Sequence, residues 1–124
     1  MNGNIVKIVL ILCLSVIQVS VYAQQNNITK HTLLVTSESL ANEMGKTYQV
    51  AQNCDQELTS IAAPRAAALF QNYFEKNDVT KILKQYEYSL AKEKGKSCNY
   101  EKINTHLLMQ NIADYMRMAA PFAH

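Results

Sequence analysis

The chain has 124 residues, which is enough for one domain and too few for two. Its formal net charge is only +2, so neither a nucleic acid nor an anionic membrane surface is the expected partner. With only three glycines and two prolines it is poor in the residues that β-rich folds use in their turns, and this favours helices.

The first 23 residues have the pattern of a cleaved secretory signal peptide. A short polar start containing Lys7 leads into an apolar run from Ile8 to Val19, and Val21-Tyr22-Ala23 matches a cleavage site. The apolar run is shorter than the ~20 residues that a membrane-spanning helix needs. We therefore expect cleavage after Ala23, no membrane attachment of the product, and a periplasmic location.

Cleavage changes the charge and the cysteine count. Loss of Lys7 leaves 11 basic residues against 10 acidic ones, and loss of Cys13 leaves Cys54 and Cys98. Two cysteines in an exported chain are expected to pair. A bridge from residue 54 to residue 98 would contribute ~4 kcal/mol in the chain-entropy model.

Residues 24–36 are predicted to form a flexible lead-in, and residues 37–120 a helical domain. Apolar side chains recur there at steps of three and four, which is the helical period. Four helices are predicted: from Ser37 toward Pro64, from Arg65 to Lys76, from an Asp78 N-cap to Gly95, and from Tyr100 to Ala119. In the last helix the residues expected to face inward are Ile103, Leu107, Leu108, Ile112, Tyr115 and Ala119.

The predicted fold class is therefore all-α, a four-helix antiparallel or irregular bundle with one Cys54–Cys98 disulfide. The disulfide would join the later part of the first helix to the start of the fourth. Gly45 inside the first helix indicates either close packing or a bend.

No residue pattern predicts catalysis, a metal site or a cofactor. The three histidines, His31, His106 and His124, are far apart, and the Cys-x-x-Cys and His-Glu-x-x-His patterns are absent from the sequence. There is no Gly-x-Ser-x-Gly nucleophile motif, and glutamates such as Glu87 and Glu93 lie beside lysines, which is typical of a solvated face. We expect a protein that is not an enzyme.

The connector from Lys92 to Lys102 concentrates charge around Cys98, with four lysines and two glutamates for a local net charge of +2. It can be a solubilising loop whose lysines lie at helix ends. It can also be a disulfide-held finger that inserts into a partner, with Tyr100 as anchor, although Tyr100 could equally start the core stripe of the fourth helix. The partner-binding residues of this second interpretation are Lys94, Lys96, Ser97, Asn99, Tyr100 and Glu101.

Tyr86 and Tyr88 are two residues apart, so they point to different sides of a helix and cannot both face the core. One of them is expected at the surface or in a protein interface. Burial in a homodimer is the simplest such interface.

A leader ending in Val21-Tyr22-Ala23, a helical chain of about 100 residues, the cysteines Cys54 and Cys98 and no active site together resemble the periplasmic immunity proteins of bacterial type VI secretion systems. That resemblance implies a homodimer that blocks the cleft of a peptidoglycan-degrading effector of the muramidase or lysozyme-like kind. The finger around Cys98 would then be the inserted part, and its positive charge would suit a cleft that carries catalytic carboxylates.

A second resemblance implies a different function. Small acid-activated periplasmic chaperones also have a leader, one disulfide of similar spacing and a dimer that exposes apolar surface in acid. Acidification separates the two hypotheses, since only the chaperone should lose its dimer and bind an apolar dye there.

Overall fold

The computed structural model describes residues 28–124, and every regular element in that range is helical. The predicted signal peptide, with its cleavage site after Ala23, lies outside the described residues. The prediction of an all-α fold with a Cys54–Cys98 disulfide is confirmed. The elements are α1 (Lys30–Gln52), a 3₁₀ turn (Thr59–Ile61), α2 (Ala63–Gln71), α3 (Lys76–Glu93), a 3₁₀ turn (Tyr100–Lys102), α4 (Thr105–Ala119) and a 3₁₀ turn (Ala120–Phe122).

The first helix begins at Lys30, inside the stretch 24–36 that was predicted to be a flexible lead-in. Thr29 is its N-cap, and its side chain accepts a hydrogen bond from the backbone N–H of Thr32 at 3.1 Å. Leu33 is fully buried in the core. A capped start and a core contact therefore make residues 30–36 helical despite their β-branched composition.

The same helix ends at Gln52 and does not continue toward Pro64. Asp55 has a positive φ of 58°, so the chain leaves the helical path directly after α1. Leu58 and Ile61 pack on the core from the loop and the 3₁₀ turn, although their spacing had placed them on the first helix. Pro64 lies in the first turn of α2, where its missing N–H costs nothing.

Helices α1 and α3 lie side by side and run parallel, which decides between the two predicted arrangements in favour of the irregular bundle. Along the pair, residues of α1 meet residues 40 to 43 positions later in the chain. The contacts, in order along both helices, are Glu38 with Lys81, Asn42 with Gln85, Gly45 with Tyr86, and the α1 C-cap Asn53 with Glu93.

Gly45 lies where the two backbones approach most closely. A Cβ atom added there would be 2.2 Å from the carbonyl oxygen of Tyr86. Of the two predictions for this glycine, close packing is therefore the correct one. Ala41, one turn earlier in α1, is fully buried and also has almost no side chain.

The start of α3 differs from the prediction, and its end agrees with it. The helix begins at Lys76 with Glu75 as N-cap, so Asp78 lies inside the first turn and is not the cap. Its carboxylate is still near the positive end of the helix dipole, which is the physical reason an acid is favoured there. Gly95 follows the last helical residue, Glu93, and has a φ of 83°, as expected of a glycine at a helix end.

The last helix begins at Thr105 and not at Tyr100, because Asn104 caps it by accepting a hydrogen bond from the N–H of Leu107 at 3.0 Å. Residues 100–102 form a separate 3₁₀ turn. The prediction that Leu107 faces inward is wrong: its side chain is 51% exposed, and Leu108 is the buried one of the two.

Tyr115 attaches α4 to the rest of the protein. Its hydroxyl lies 2.6 Å from Ser37 Oγ on α1, and Ser37 in turn donates to the carbonyl of Leu33 at 2.7 Å. The Tyr115 ring packs edge-on against Phe70 and Tyr73, with 5.7 Å between ring centroids in both pairs. The order of these contacts makes α4 antiparallel to α1, since Asn111, one turn earlier, bonds Glu43, farther along α1.

Candidate functional site

The finger, residues 94–101, lies where the C-terminal ends of the parallel helices α1 and α3 meet. This location follows from the topology, because parallel helices bring like ends together. Cys54 comes directly after α1 and Cys98 shortly after α3, with 4.7 Å between their Cα atoms. All six predicted binding residues are exposed, namely Lys94, Lys96, Ser97, Asn99, Tyr100 and Glu101.

Polar contacts hold the base of the finger in addition to the disulfide. The Asn53 side chain donates to the backbone carbonyl of Glu93 at 2.9 Å and accepts from Gln49 Nε2 at 2.9 Å. The prediction that Glu93 lies on a solvated face is wrong: its side chain is only 7% exposed, because the carboxylate turns to pair with Lys96 Nζ at 3.3 Å. Three independent constraints therefore limit the conformations of the loop, and this reduces the entropy that a binding event would have to remove.

Tyr100 is at the surface and does not belong to the core stripe of α4, which was the open alternative. Its side chain is 65% exposed, the largest value for any large hydrophobic residue in the described part of the chain. Asn99 holds the local turn by accepting a hydrogen bond from the N–H of Glu101 at 3.1 Å. An aromatic ring is thus presented to solvent on a turn that is hydrogen-bonded at its start.

The lysines of the finger have two physical environments. Lys96 is paired with buried Glu93, so its charge partly serves the fold. Lys94 caps the end of α3 and takes part in no ion pair within residues 28–124. Both lie near two parallel helix C-termini, where the dipoles favour cations, and this agrees with the solubilising interpretation as well as with a binding role.

Tyr86 and Tyr88 divide as expected from their spacing: Tyr86 is buried and Tyr88 is 63% exposed. The Tyr86 hydroxyl donates to the carbonyl of Ile61 at 2.8 Å, and burial raises the pKa of Tyr86 well above its usual range. Burial also raises the pKa of Tyr115 to about 12. Both hydroxyls are consequently neutral structural groups at neutral pH and poor candidates for acid–base chemistry.

Sequence reasoning missed one surface, the two exposed flanks of α4. Met109 and Met116 are exposed on one side of the buried stripe, and Leu107 is exposed on the other. The signal was present in the sequence: Leu107 and Leu108 are adjacent, so they cannot point in the same direction from a helix.

Two further observations restrict the chemistry of the described part. Among residues 28–124 no three side chains of the His, Cys, Asp or Glu types are grouped closely enough to hold a metal ion. None of the helices in this range combines the length and the apolar character that crossing a bilayer requires.

Comparison with known proteins adds no relative to this picture. No protein-family model matches the chain, and no curated protein or solved structure matches it significantly either.

Proposed function

We propose that this chain is a periplasmic immunity protein that binds a toxic peptidoglycan hydrolase and blocks its active-site cleft. The observation that carries the proposal is Tyr100, an aromatic side chain 65% exposed on a turn adjacent to a disulfide. Exposed aromatic anchors of this kind dominate the energy of many protein interfaces.

The braced base of the finger supports binding in a fixed conformation. A loop that is already held in its bound shape loses little entropy when a partner closes around it. The Asn53–Glu93 hydrogen bond holds the start of the finger, and the Cys54–Cys98 bridge holds its middle, two residues before Tyr100. A lid or a flexible linker would not need these constraints.

The charge of the finger is suited to an acidic cleft. The finger contains Lys94 and Lys96, and Lys94 forms no ion pair within residues 28–124. Glycoside hydrolases of the muramidase type act through a pair of carboxylates in a cleft. Lysines at the rim of such a complex would raise the association rate and orient the finger.

The test is inhibition of peptidoglycan hydrolysis by the purified chain starting at Gln24, using the secreted peptidoglycan hydrolases of the organism that encodes it. We expect inhibition by the wild type, weakened by Tyr100→Ala and by Lys94→Glu. Val35→Ala and Lys84→Glu are the controls, because both residues are exposed, on α1 and α3 respectively, and lie away from the finger.

The size of the expected effect separates an anchor from a peripheral contact. Truncation of a hot-spot residue costs at least ~2 kcal/mol, so Tyr100→Ala should weaken binding about thirtyfold. Equal inhibition by wild type and both finger variants would remove the finger from the mechanism. No inhibition by the wild type would contradict the immunity function itself.

We also propose a homodimer, for which exposed Tyr88 on α3 is the supporting observation. The mass of the wild type in solution, measured by light scattering, tests it directly. Tyr88→Ala should then shift the mass toward the monomer, and a wild-type monomer would contradict the dimer.

A periplasmic acid-stress chaperone is the second candidate, and the exposed apolar side chains of α4 favour it. Leu107, Met109 and Met116 are all about half exposed on α4, a helix with only three buried residues in the described chain. A chaperone should bind an apolar dye and suppress client aggregation at about pH 2–3, where carboxylates protonate. Unchanged dye binding between neutral and acidic pH would exclude this candidate.

A further inference from the structure

A groove runs between α1 and α4, on the side of α4 that carries Leu107. One half, of about 270 Å³, has Leu40 and Tyr115 among its apolar lining and ends near Met118. The other half, of about 170 Å³, is lined by Leu107 and Leu108 and approaches the finger. Glu43 and Asn111 line both halves and are hydrogen-bonded to each other, so the two halves are neighbours that meet at this pair.

The groove exists because α4 is attached through a narrow stripe. Only three residues of α4, which lies wholly within the described residues, are buried: Leu108, Tyr115 and Ala119. The flank toward α1 is therefore open at the surface, and it leaves exposed Leu107 beside buried Leu108. Apolar area that remains open beside a polar rim is typical of binding surfaces.

Glu43 is the distinctive charged group of this groove. Its Oε2 atom accepts a hydrogen bond from Asn111 Nδ2 at 3.2 Å, which fixes the carboxylate at the junction of the two halves. No cation of residues 28–124 lies within 4.0 Å of it. The other acid of the lining, Asp114, is already paired with Arg117.

The second half of the groove has the opposite charge. Lys46 and Lys102 line it, and neither takes part in an ion pair within the described residues. The lining therefore changes from an unpaired carboxylate at Glu43 to two unpaired ammonium groups at the end near the finger. A groove with opposite charges in its two halves favours one orientation of a ligand that carries both a positive and a negative group.

We infer that the α1–α4 groove binds a short polypeptide segment of a partner protein, one with a basic residue for Glu43, an apolar side chain for the Leu40–Tyr115 floor and an acidic residue for Lys102. The Glu43–Asn111 hydrogen bond divides the groove into two halves of about 270 and 170 Å³, each smaller than the ~300–1,000 Å³ usual for drug-sized ligands. An extended polypeptide that places separate side chains in the two halves fits this division better than one compact ligand. The inference does not depend on the partner being a hydrolase.

The probe is a displayed library of short random peptides, selected on the purified chain starting at Gln24. We expect the enriched peptides to share a basic residue next to an apolar one, followed by an acidic residue. One enriched peptide is then synthesised, and its binding site is mapped by amide chemical shifts, which should change along α1 and α4.

Substitutions in the groove then test the assigned charges. Glu43→Gln should weaken the peptide about fivefold, because an exposed ion pair contributes up to ~1 kcal/mol. Glu43→Lys should weaken it further, and Lys102→Glu should weaken it by a similar factor. Glu87→Gln is the matched control, since that carboxylate is exposed on α3 and lies outside the groove.

Two results would overturn the inference. One is a set of enriched peptides that share no charge pattern or that shift amides outside α1 and α4. The other is equal affinity for wild type and Glu43→Lys, with unchanged thermal unfolding showing that the variant is folded. Lys94→Glu in the finger should leave peptide affinity unchanged, so failure of the proposed finger and failure of the groove are distinguishable.

Discussion

Gly45→Ala places one methyl group into the contact between α1 and α3. The added Cβ would be 2.2 Å from the carbonyl oxygen of Tyr86 and 3.0 Å from its carbonyl carbon. Ordinary carbon–oxygen contacts in proteins lie at ~3.3–3.6 Å, so the helices would have to separate by roughly 1 Å. The obstacle is helix backbone and cannot be relieved by a change of rotamer.

The expected cost follows from two opposing terms. Overpacking a core costs ~1–3 kcal/mol and more in rigid places, and a gap of ~1 Å forfeits up to half of the dispersion energy of the contacts it opens. Alanine regains ~1 kcal/mol of helix propensity relative to glycine. Because the contact is between two helix backbones, we expect the cost of overpacking to exceed the gain in helix propensity. The net loss of unfolding free energy should be about 2–3 kcal/mol.

The assay is thermal and urea unfolding followed by helical circular dichroism. A loss of this size should lower Tm by about 10–20 °C in a domain of ~100 residues. Lys46→Ala at the next position is the control, because it changes an exposed residue of the same helix and should stay within ~0.5 kcal/mol of wild type. A Gly45→Ala protein at least as stable as wild type would refute the close approach of the two helices.

Three further predictions concern the groups that hold the fold. Ser37→Ala and Tyr115→Phe should each cost ~1–2 kcal/mol in urea unfolding, and the double variant should cost less than their sum, because both remove one buried hydrogen bond. Burial raises the pKa of Tyr115 to about 12 from an unfolded value of ~10, so stability should be unaffected by this group below pH ~10 and fall as pH rises toward 12. Replacing Cys54 and Cys98 by Ala should cost ~4 kcal/mol and lower the urea midpoint.

Each of these has a contradicting outcome. Additive Ser37 and Tyr115 effects would mean that the two hydroxyls do not interact. A Tyr115→Phe variant with the same alkaline loss as wild type would assign that loss to other groups, with buried Tyr86 as the next candidate. An unchanged urea midpoint after removal of both cysteines would show that the bridge does not constrain the unfolded chain.

The helical content was predictable because it depends on local patterns. A period of three to four residues identifies a helix wherever it occurs, and Gly95 marked the end of α3 because a positive φ is inexpensive only for glycine. The predicted starts of α1 and α4 were wrong because a different residue caps each helix. The N-cap of α4, Asn104, lies four residues after the predicted start at Tyr100, and the N-cap of α1, Thr29, lies eight residues before Ser37.

For the candidate site, sequence supplied the residues and structure supplied their surroundings. Charge clustering around Cys98 identified the finger, and all six of its predicted residues are exposed. The spacing of apolar residues could not decide whether Tyr100 faces solvent or the core, because a residue at the end of a periodic stripe can do either. The groove at Glu43 was not predictable, because its lining residues come from helices that are distant in sequence; Glu43 and Asn111 are 68 positions apart.

The amino-acid sequence by itself predicted that the fold is helical and that Cys54 pairs with Cys98. Both results rest on local periodicity and on residue type. Only the tertiary structure decided that α1 and α3 run parallel, that their C-terminal ends meet beneath the finger, and that Leu108 and not Leu107 is buried. The physical reason is that an apolar stripe indicates which face of a helix is buried. Which helix packs against that face, and whether the two run parallel, depends on contacts between residues about 40 positions apart, such as Asn53 with Glu93.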